Sequence, residues 1–444
     1  MTFRMLSREY MELEEETKVK WFCPEPFAAI TTDTTGLYKP CCATVGMDGY
    51  GCSVSSHTPI EAMNSDAAKT LRKAFIEDDK KTLEKTCKTC MVQEEGGIRS
   101  HRQYYNERYT KTQGDEPPEF GHHMFKLVDL VEKVKKDPEA DIDPEYFHTM
   151  EHTAGGGNYC NLKCAMCTAS SSSSFAKESY DLNEVFGIAH KQRFGKHKFT
   201  PLVLDKTNKE IKERILPNLS EIKLTGGEPL AIPYNYDLLK HSVYSGYSEN
   251  QTLRIITNGT MTPKHHGIDI FDIIPRFNKV IINVSIEAWG SRNDYIRYPS
   301  DWKTILKNAM SLARFENCTV TFVSTINALN IGYLNEIIQY NPDTLLKPVA
   351  VSYVIDGHPT GMNISAIPDD IKEQYIDKIY SLPLDVSKML QPHVEMLENK
   401  EHSPLEMNTL LTRMVERDRI RNTNLLELWP EWTPYYEDFL RTHR

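Results

Sequence analysis

From about Phe147 onward, short apolar runs alternate with helical stretches, and this alternation is what most constrains the fold. Strands separated by helix-length connections pair in parallel through crossovers, which predicts an α/β sheet rather than a sandwich or a bundle. The strand ends fall near Thr153, Leu224, Thr257, Ser285, Thr325 and Ile355. Ligand sites of parallel α/β barrels gather at the carboxyl edge of the strands, so function is expected in the segments just after those ends. With 444 residues the chain can bury a large core and form more than one domain.

Composition narrows the function classes. The balance of 52 basic against 62 acidic residues gives a net charge of −10, which argues against a sequence-independent nucleic-acid binder. The first residues run into the acidic Glu12-Leu13-Glu14-Glu15-Glu16 without an apolar signal-peptide core, and the best apolar run, 348–355, is strand-sized. A cytoplasmic protein with no membrane partner is expected. The ten cysteines occur mainly in pairs and triples, which fits metal ligation in a reducing compartment better than a disulfide scaffold.

Just after the first strand comes Cys160-x-x-x-Cys164-x-x-Cys167. Thiolates so close in sequence can wrap one face of an iron-sulfur cubane, but three sulfurs leave one of its irons open for chemistry. A zinc site is the plainer alternative. Zinc wants a closed set of four ligands, and His152, the available fourth, is not paired at a zinc-finger spacing. After the second strand stands Leu224-Thr225-Gly226-Gly227-Glu228-Pro229, where two glycines let the backbone approach a ligand and the carboxylate can receive an ammonium.

The cysteine spacing, the wording Cys160-Asn161-Leu162-Lys163-Cys164 and the Gly-Gly-Glu-Pro segment resemble the radical S-adenosylmethionine (radical SAM) enzymes. The resemblance implies a partial (β/α)6 TIM-like barrel. It also implies that Cys160, Cys164 and Cys167 hold a 4Fe-4S cluster whose open iron chelates SAM, with reductive cleavage giving a deoxyadenosyl radical that abstracts hydrogen. Gly226, Gly227, Glu228 and Pro229 would then bind the SAM amino group. Thr257-Asn258-Gly259 matches a strand-end feature of the family, and Val284-Ser285-Ile286-Glu287 resembles its Val-Ser-Ile-Asp with Glu287 in place of Asp. On the same resemblance Ser285 would contact the SAM ribose and Arg297 the SAM carboxylate.

The first third carries a second set: Cys23, then Asp33-Thr34-Thr35-Gly36, Cys41-Cys42, and Cys87-x-x-Cys90. A hairpin turning at 33–36 would bring Cys23 and Cys41 together at its open end, with the Cys87 and Cys90 pair closing the set from a later turn. Stretches 59–65 and 71–75 between them read as helix. This pattern resembles the SPASM and twitch modules of radical SAM enzymes, in the shorter twitch form. It implies a second, auxiliary 4Fe-4S cluster on Cys23, Cys41, Cys87 and Cys90. Such a module usually follows the barrel, whereas here it precedes it. Adjacent residues of a strand face opposite ways, so only one of Cys41 and Cys42 should bind, and the spacing from Gly36 favours Cys41. A zinc ribbon is the alternative for these four. Cys52 and Cys318, isolated from both groups, read as small buried apolar residues.

The expected organisation is a cysteine module over 1–110, a linker over 111–146, a barrel over 147–365 and a helical extension over 366–444. Leu426, Leu428, Trp429, Trp432, Tyr435, Tyr436 and Phe439 are the expected packing anchors of the last segment. Gly155-Gly156-Gly157 lacks a following Gly-Lys-Ser/Thr, so it is read as a turn into the cysteine loop and not as a P-loop. The serines 170–174 are read as capping the first barrel helix. The expected function is radical SAM modification of a peptide or protein substrate, with flavodoxin or ferredoxin as reductant. The alternatives are radical oxidation or epimerisation of a small sugar, nucleotide or cofactor precursor and, from another class, an iron-sulfur electron carrier or redox sensor without SAM chemistry.

Overall fold

The computed structural model describes residues 21–44, 49–95, 99–112, 117–152, 157–181, 202–339, 346–349 and 361–442. The expected strand ends at Thr153 and Ile355 and the glycines 155 and 156 lie outside the described residues. Two compact units are present, each discontinuous in sequence. The first comprises 1–159, 199–255 and 265–279, and the second 160–198, 256–264 and 280–444.

In the first unit the strands are β1 (Ala29–Thr32), β2 (Tyr38–Lys39), β3 (Thr149–His152), β4 (Glu221–Leu224) and the start of β5 (Thr252–Thr257), in the order β2-β1-β3-β4-β5. Every pairing here is parallel except the β1–β2 hairpin. Register explains why these short segments are strands. Ile30, Met150, Ile222 and Leu253 stand opposite one another across four strands and are all buried. One residue further along, Thr31, Glu151, Lys223 and Arg254 form a second row, and the pleat turns that row to the other face. So polar a face must be satisfied internally. Lys223 pairs with Glu151 at 2.9 Å, while Glu221 receives Arg254 at 3.0 Å and Arg108 at 2.6 Å.

The amino-terminal segment therefore adds a strand to the same sheet as β3. Its helices are Pro59–Met63, Asp66–Glu77, Lys80–Glu95 and His101–Thr110. The first is closed by a capping box in which the Thr58 hydroxyl accepts the Glu61 N–H and the Glu61 carboxylate accepts the Thr58 N–H. The stretch expected to be a linker instead contains the helix Met124–Lys136. Its Leu127, Leu130, Val131 and Val134 recur on one face and are buried, so hydrophobic periodicity outweighed the run of lysines that suggested a spacer.

In the second unit β6 (Lys279–Ser285), β7 (Cys318–Val323) and β8 (Leu346–Val349) pair in parallel in that order. Alternate residues Val280, Ile282 and Val284 of β6 are buried. The carboxyl-terminal segment is helical, as expected: Asp369–Tyr380, Leu384–Asn399, Pro404–Arg421 and Thr433–Thr442. Trp429, Trp432, Tyr436 and Phe439 are buried, and the Trp429 indole donates to the Leu329 carbonyl at 2.8 Å. Leu425 is buried, whereas Leu426, Leu428 and Tyr435 are only half-buried, which corrects the anchor list by one register step. Among the described residues no helix is long and apolar enough to cross a membrane.

Candidate functional site

The three-cysteine loop lies in the second unit, with Cys160 and Cys164 buried and Cys167 half-buried in one cluster with Leu162. The serines that follow hold its shape. Ser174 Oγ donates to the Cys160 carbonyl at 2.7 Å, while Ser172 Oγ donates to the Leu162 carbonyl and accepts the Phe175 N–H at the start of the helix Ser173–Asp181. Capping and loop-holding are thus done by the same hydroxyls.

Strand ends supply the remaining walls. Asn258, in the turn after β5, donates from Nδ2 to Asn161 Oδ1 at 2.9 Å, and that amide lies 3.9 Å from Cys160 Sγ. Asn161 Nδ2 in turn reaches Thr260 Oγ1. Gly259 has a φ of +72°, and a Cβ there would come within 2.8 Å of Val284 Cγ1, so the Asn-Gly pair is required by both backbone and packing. Ser285 is the last residue of β6 and is half-buried.

After Ser285 the chain reaches Glu287, buried and used on both carboxylate oxygens. Oε1 accepts from Arg297 Nη1 at 2.8 Å, and Oε2 accepts the Thr325 N–H at 3.0 Å and Asn330 Nδ2 at 3.1 Å. Burial pushes this carboxyl up to about 8, against the pull of Arg297. Arg297 Nε is buried without a hydrogen-bond partner among the described residues, and the charges that act on this guanidinium are those of Cys164, Glu287, Cys167 and Cys160. A hydrogen bond between the Cys164 and Cys167 side chains lowers the pKa of Cys164 and raises that of Cys167, burial raises both, and the guanidinium charges of Arg297 and Arg421 lower that of Cys164 further. Such a setting favours thiolate at Cys164.

Gly226, Gly227, Glu228 and Pro229 lie in the first unit. Gly226 has a φ of +115°. A Cβ on Gly227 would meet the Tyr159 carbonyl oxygen at 2.1 Å, and the Glu228 N–H donates to that same oxygen at 2.7 Å. The two glycines therefore let this turn lie against the residue immediately before Cys160. Glu228 is buried and its Oε1 accepts the Leu230 N–H at 3.1 Å, so one oxygen is engaged in capping the 229–231 turn.

Also in the first unit, Cys23, Cys41, Cys87 and Cys90 all line one pocket, together with Glu25, His101 and Arg102. The hairpin expected at 33–36 is observed: Asp33 Oδ1 accepts the N–H groups of Thr35 and Leu37, and Gly36 has a φ of +83°. Cys87 and Cys90 come from the helix Lys80–Glu95 and not from a turn, and their i,i+3 spacing places both on one helical face. Cys42 does not line the cavity. It is exposed, with its sulfur 3.7 Å from the Tyr105 hydroxyl. Burial raises the Cys23 thiol far above its ordinary value, and the charges of Glu25, Cys41 and Cys87 add to the effect. Burial, followed by Cys90, pushes Cys87 up to about 12.

Among the described residues no three His, Cys, Asp or Glu side chains close on a single metal ion. A cubane asks for a different arrangement, because each thiolate takes its own iron and the sulfurs stand at separate corners. The donor sets fit that requirement in two ways. The loop offers three sulfurs and guanidinium charge, whereas the cavity is ringed by four sulfurs.

The Radical SAM superfamily model matches residues 156–340, the span from the cysteine loop to the helix after β7. This span is a radical SAM domain. The chain that carries it is an enzyme, and the superfamily implies a 4Fe-4S cluster, SAM and its reductive cleavage. Among solved structures, the chain is similar to TYW1 with a lysine-pyruvate adduct bound, at 15% identity and a TM-score of 0.26 over 53% of this chain and 70% of that one. It is also similar to Streptococcus suis SuiB bound to S-adenosylmethionine, at 12% identity and a TM-score of 0.36 over 78% of this chain and 64% of that one. No curated protein matches it in sequence.

Several residues around the loop carried no role in the sequence reading. Asn161 lies in it and Arg417 and Arg421 touch it, but the arginines come from more than two hundred residues away, and nothing in one chain's spacing reveals that.

Proposed function

We propose that the protein generates a deoxyadenosyl radical at the Cys160, Cys164 and Cys167 loop and uses it to abstract hydrogen from a peptide or protein side chain, with an auxiliary 4Fe-4S cluster on Cys23, Cys41, Cys87 and Cys90. The observation that carries this reading is the contrast in donor sets: three cysteines in one loop and four around a second pocket. When bound, a cluster with an open iron supplies an electron to SAM. The chain's own residues would position the reactants. Gly226 and Gly227 would let a ligand approach their backbone, Glu228 would receive the SAM ammonium, Arg297 would hold the carboxylate and Ser285 the ribose. With four thiolates and no open iron, the auxiliary site is suited to electron transfer or structural support.

The peptidyl substrate rests on the likeness of the paired cysteine sets to the SPASM and twitch architecture, and fold-level likeness fixes no substrate. Flavodoxin or ferredoxin is the proposed reductant, and the cytoplasm the proposed compartment. The test is anaerobic incubation of reconstituted protein with SAM, reductant and candidate peptides, followed by mass spectrometry. Deoxyadenosine together with a peptide mass change supports the reading. Deoxyadenosine with a changed sugar, nucleotide or cofactor precursor, and no changed peptide, replaces the substrate class.

A further inference from the structure

The cysteine loop is held from a second direction by the carboxyl-terminal helix Pro404–Arg421. Arg413, Arg417 and Arg421 recur at i, i+4 and i+8, so they share one face of that helix. Arg417 Nη1 donates to the Ala165 carbonyl at 3.1 Å, and Arg421 Nη2 donates to the Lys163 carbonyl at 2.7 Å. The N–H groups of the same two residues are taken on the opposite side: Lys163 N–H by the Tyr298 carbonyl at 2.6 Å and Ala165 N–H by the Ile296 carbonyl at 2.7 Å. Cys164 therefore stands between two residues whose backbone N–H and C=O groups are all engaged. Arg297 occupies the corresponding middle position of the facing segment.

Charge makes the arrangement unusual. Arg421 is matched by a bidentate ion pair to buried Glu178, at 2.6 and 3.2 Å, which Lys163 also approaches at 3.4 Å. Arg417 is 3% exposed and makes no ion pair among the described residues. Its guanidinium lies 5.4 Å from the Phe175 ring centroid, and its Nε is buried without a partner. Burial, with Arg421 and Arg413 adding to it, lowers this guanidinium to about 9, which still leaves it charged at neutral pH. A buried, unmatched cation is costly unless something anionic sits beside it. Three thiolates outweigh the charge of an oxidised cubane core, and reduction makes the whole more negative.

We infer that Arg417 and Arg421 are positioning residues for the three-cysteine loop: they fix the carbonyls on either side of Cys164 and hold positive charge against the cluster it would bind, favouring the reduced state. The inference rests on the reading of Cys160, Cys164 and Cys167 as cluster ligands. Net charge and nearby hydrogen bonds are known levers on the potential of such clusters.

The test is a redox titration of the full-length reconstituted protein, following the paramagnetic signal that Cys160→Ala/Cys164→Ala/Cys167→Ala lacks. Arg417→Met replaces a buried cation with an apolar chain of similar length. It should lower the reduced-to-oxidised ratio at fixed potential about tenfold, which is about 59 mV for one electron. Arg417→Lys keeps the charge and should stay at the wild-type potential. Arg421→Gln removes a guanidinium, leaves Lys163 at 3.4 Å as the cation beside Glu178, and should shift in the same direction as Arg417→Met. Wild-type potentials in Arg417→Met and Arg421→Gln overturn the inference, as does a shift in Arg417→Lys equal to that in Arg417→Met. If both neutral variants fail to fold, the arginines are structural and the inference fails. Absence of any iron-sulfur cluster in the wild-type protein is a different result and counts against the proposed function itself.

Discussion

The two cysteine sets use the same ligand atom in opposite settings. The loop at 160–167 draws three sulfurs from eight consecutive residues, and there a hydrogen bond with Cys167, followed by the guanidinium charges of Arg297 and Arg421, lowers the Cys164 thiol's pKa while that of Cys167 is raised. The cavity in the first unit draws four sulfurs from three separate segments beside a buried carboxyl, Glu25, and there burial and mutual repulsion raise the thiol pKa values. A site that must leave one iron free for a ligand gains from nearby positive charge. A closed site of four thiolates depends on its metal to relieve the repulsion among its own ligands. On the proposed function, the difference separates a place for chemistry from a place for electron storage or support.

The largest effect expected from breaking this comparison comes from replacing Cys160, Cys164 and Cys167 by Ala. SAM cleavage should be abolished, and iron should fall by about half from roughly eight per chain, read by metal analysis and deoxyadenosine assay. Cys41→Ala should remove the other half of the iron while leaving some SAM cleavage, and Cys42→Ala should leave the iron unchanged. Loss of iron in Cys42→Ala and its retention in Cys41→Ala would reverse the ligand assignment. Glu228→Ala tests the proposed contact to the SAM ammonium alone. It should weaken SAM binding ten- to a hundredfold, on the order of 1.5–3 kcal/mol, by calorimetric titration.

A smaller effect distinguishes the units by their histidines. In the first unit His123 and His148 stack at 4.4 Å, and His148 is hydrogen-bonded to the Tyr109 hydroxyl. Burial first, then neighbouring histidine charge, depresses both, His123 to about 3. A histidine neutral when folded and ordinary when unfolded contributes its full stability above the unfolded pKa of about 6.5 and loses it as pH falls toward the folded value. At pH 5 His123 should cost about 2 kcal/mol. Hydrogen exchange between pH 7 and pH 5 should therefore show amides of the first unit losing protection before those of the second. Equal loss in both would remove these histidines as the cause.

What was legible in the sequence followed from local rules. The strands ending at Leu224, Thr257 and Ser285 are short segments rich in apolar residues, and the hairpin at 33–36 is a short-range turn opened by Asp33 and closed by Gly36. The seven cysteines were legible as two sets because ligand spacing is itself a sequence property. Three features were not legible. The charged row Glu151, Lys223 and Arg254 is understood only through its register partners. The helix Met124–Lys136 hid its apolar face among lysines. Arg417 and Arg421 act on the loop across a separation that only tertiary packing closes.

The measurement that tests the central contrast most directly is paramagnetic resonance of the reduced, reconstituted protein before and after adding SAM. An open and a closed cluster predict that SAM perturbs one signal, the one absent from Cys160→Ala/Cys164→Ala/Cys167→Ala, and leaves unchanged the signal absent from Cys41→Ala. Stoichiometric zinc in place of iron, or a SAM response that survives loss of the three loop cysteines, would contradict the account.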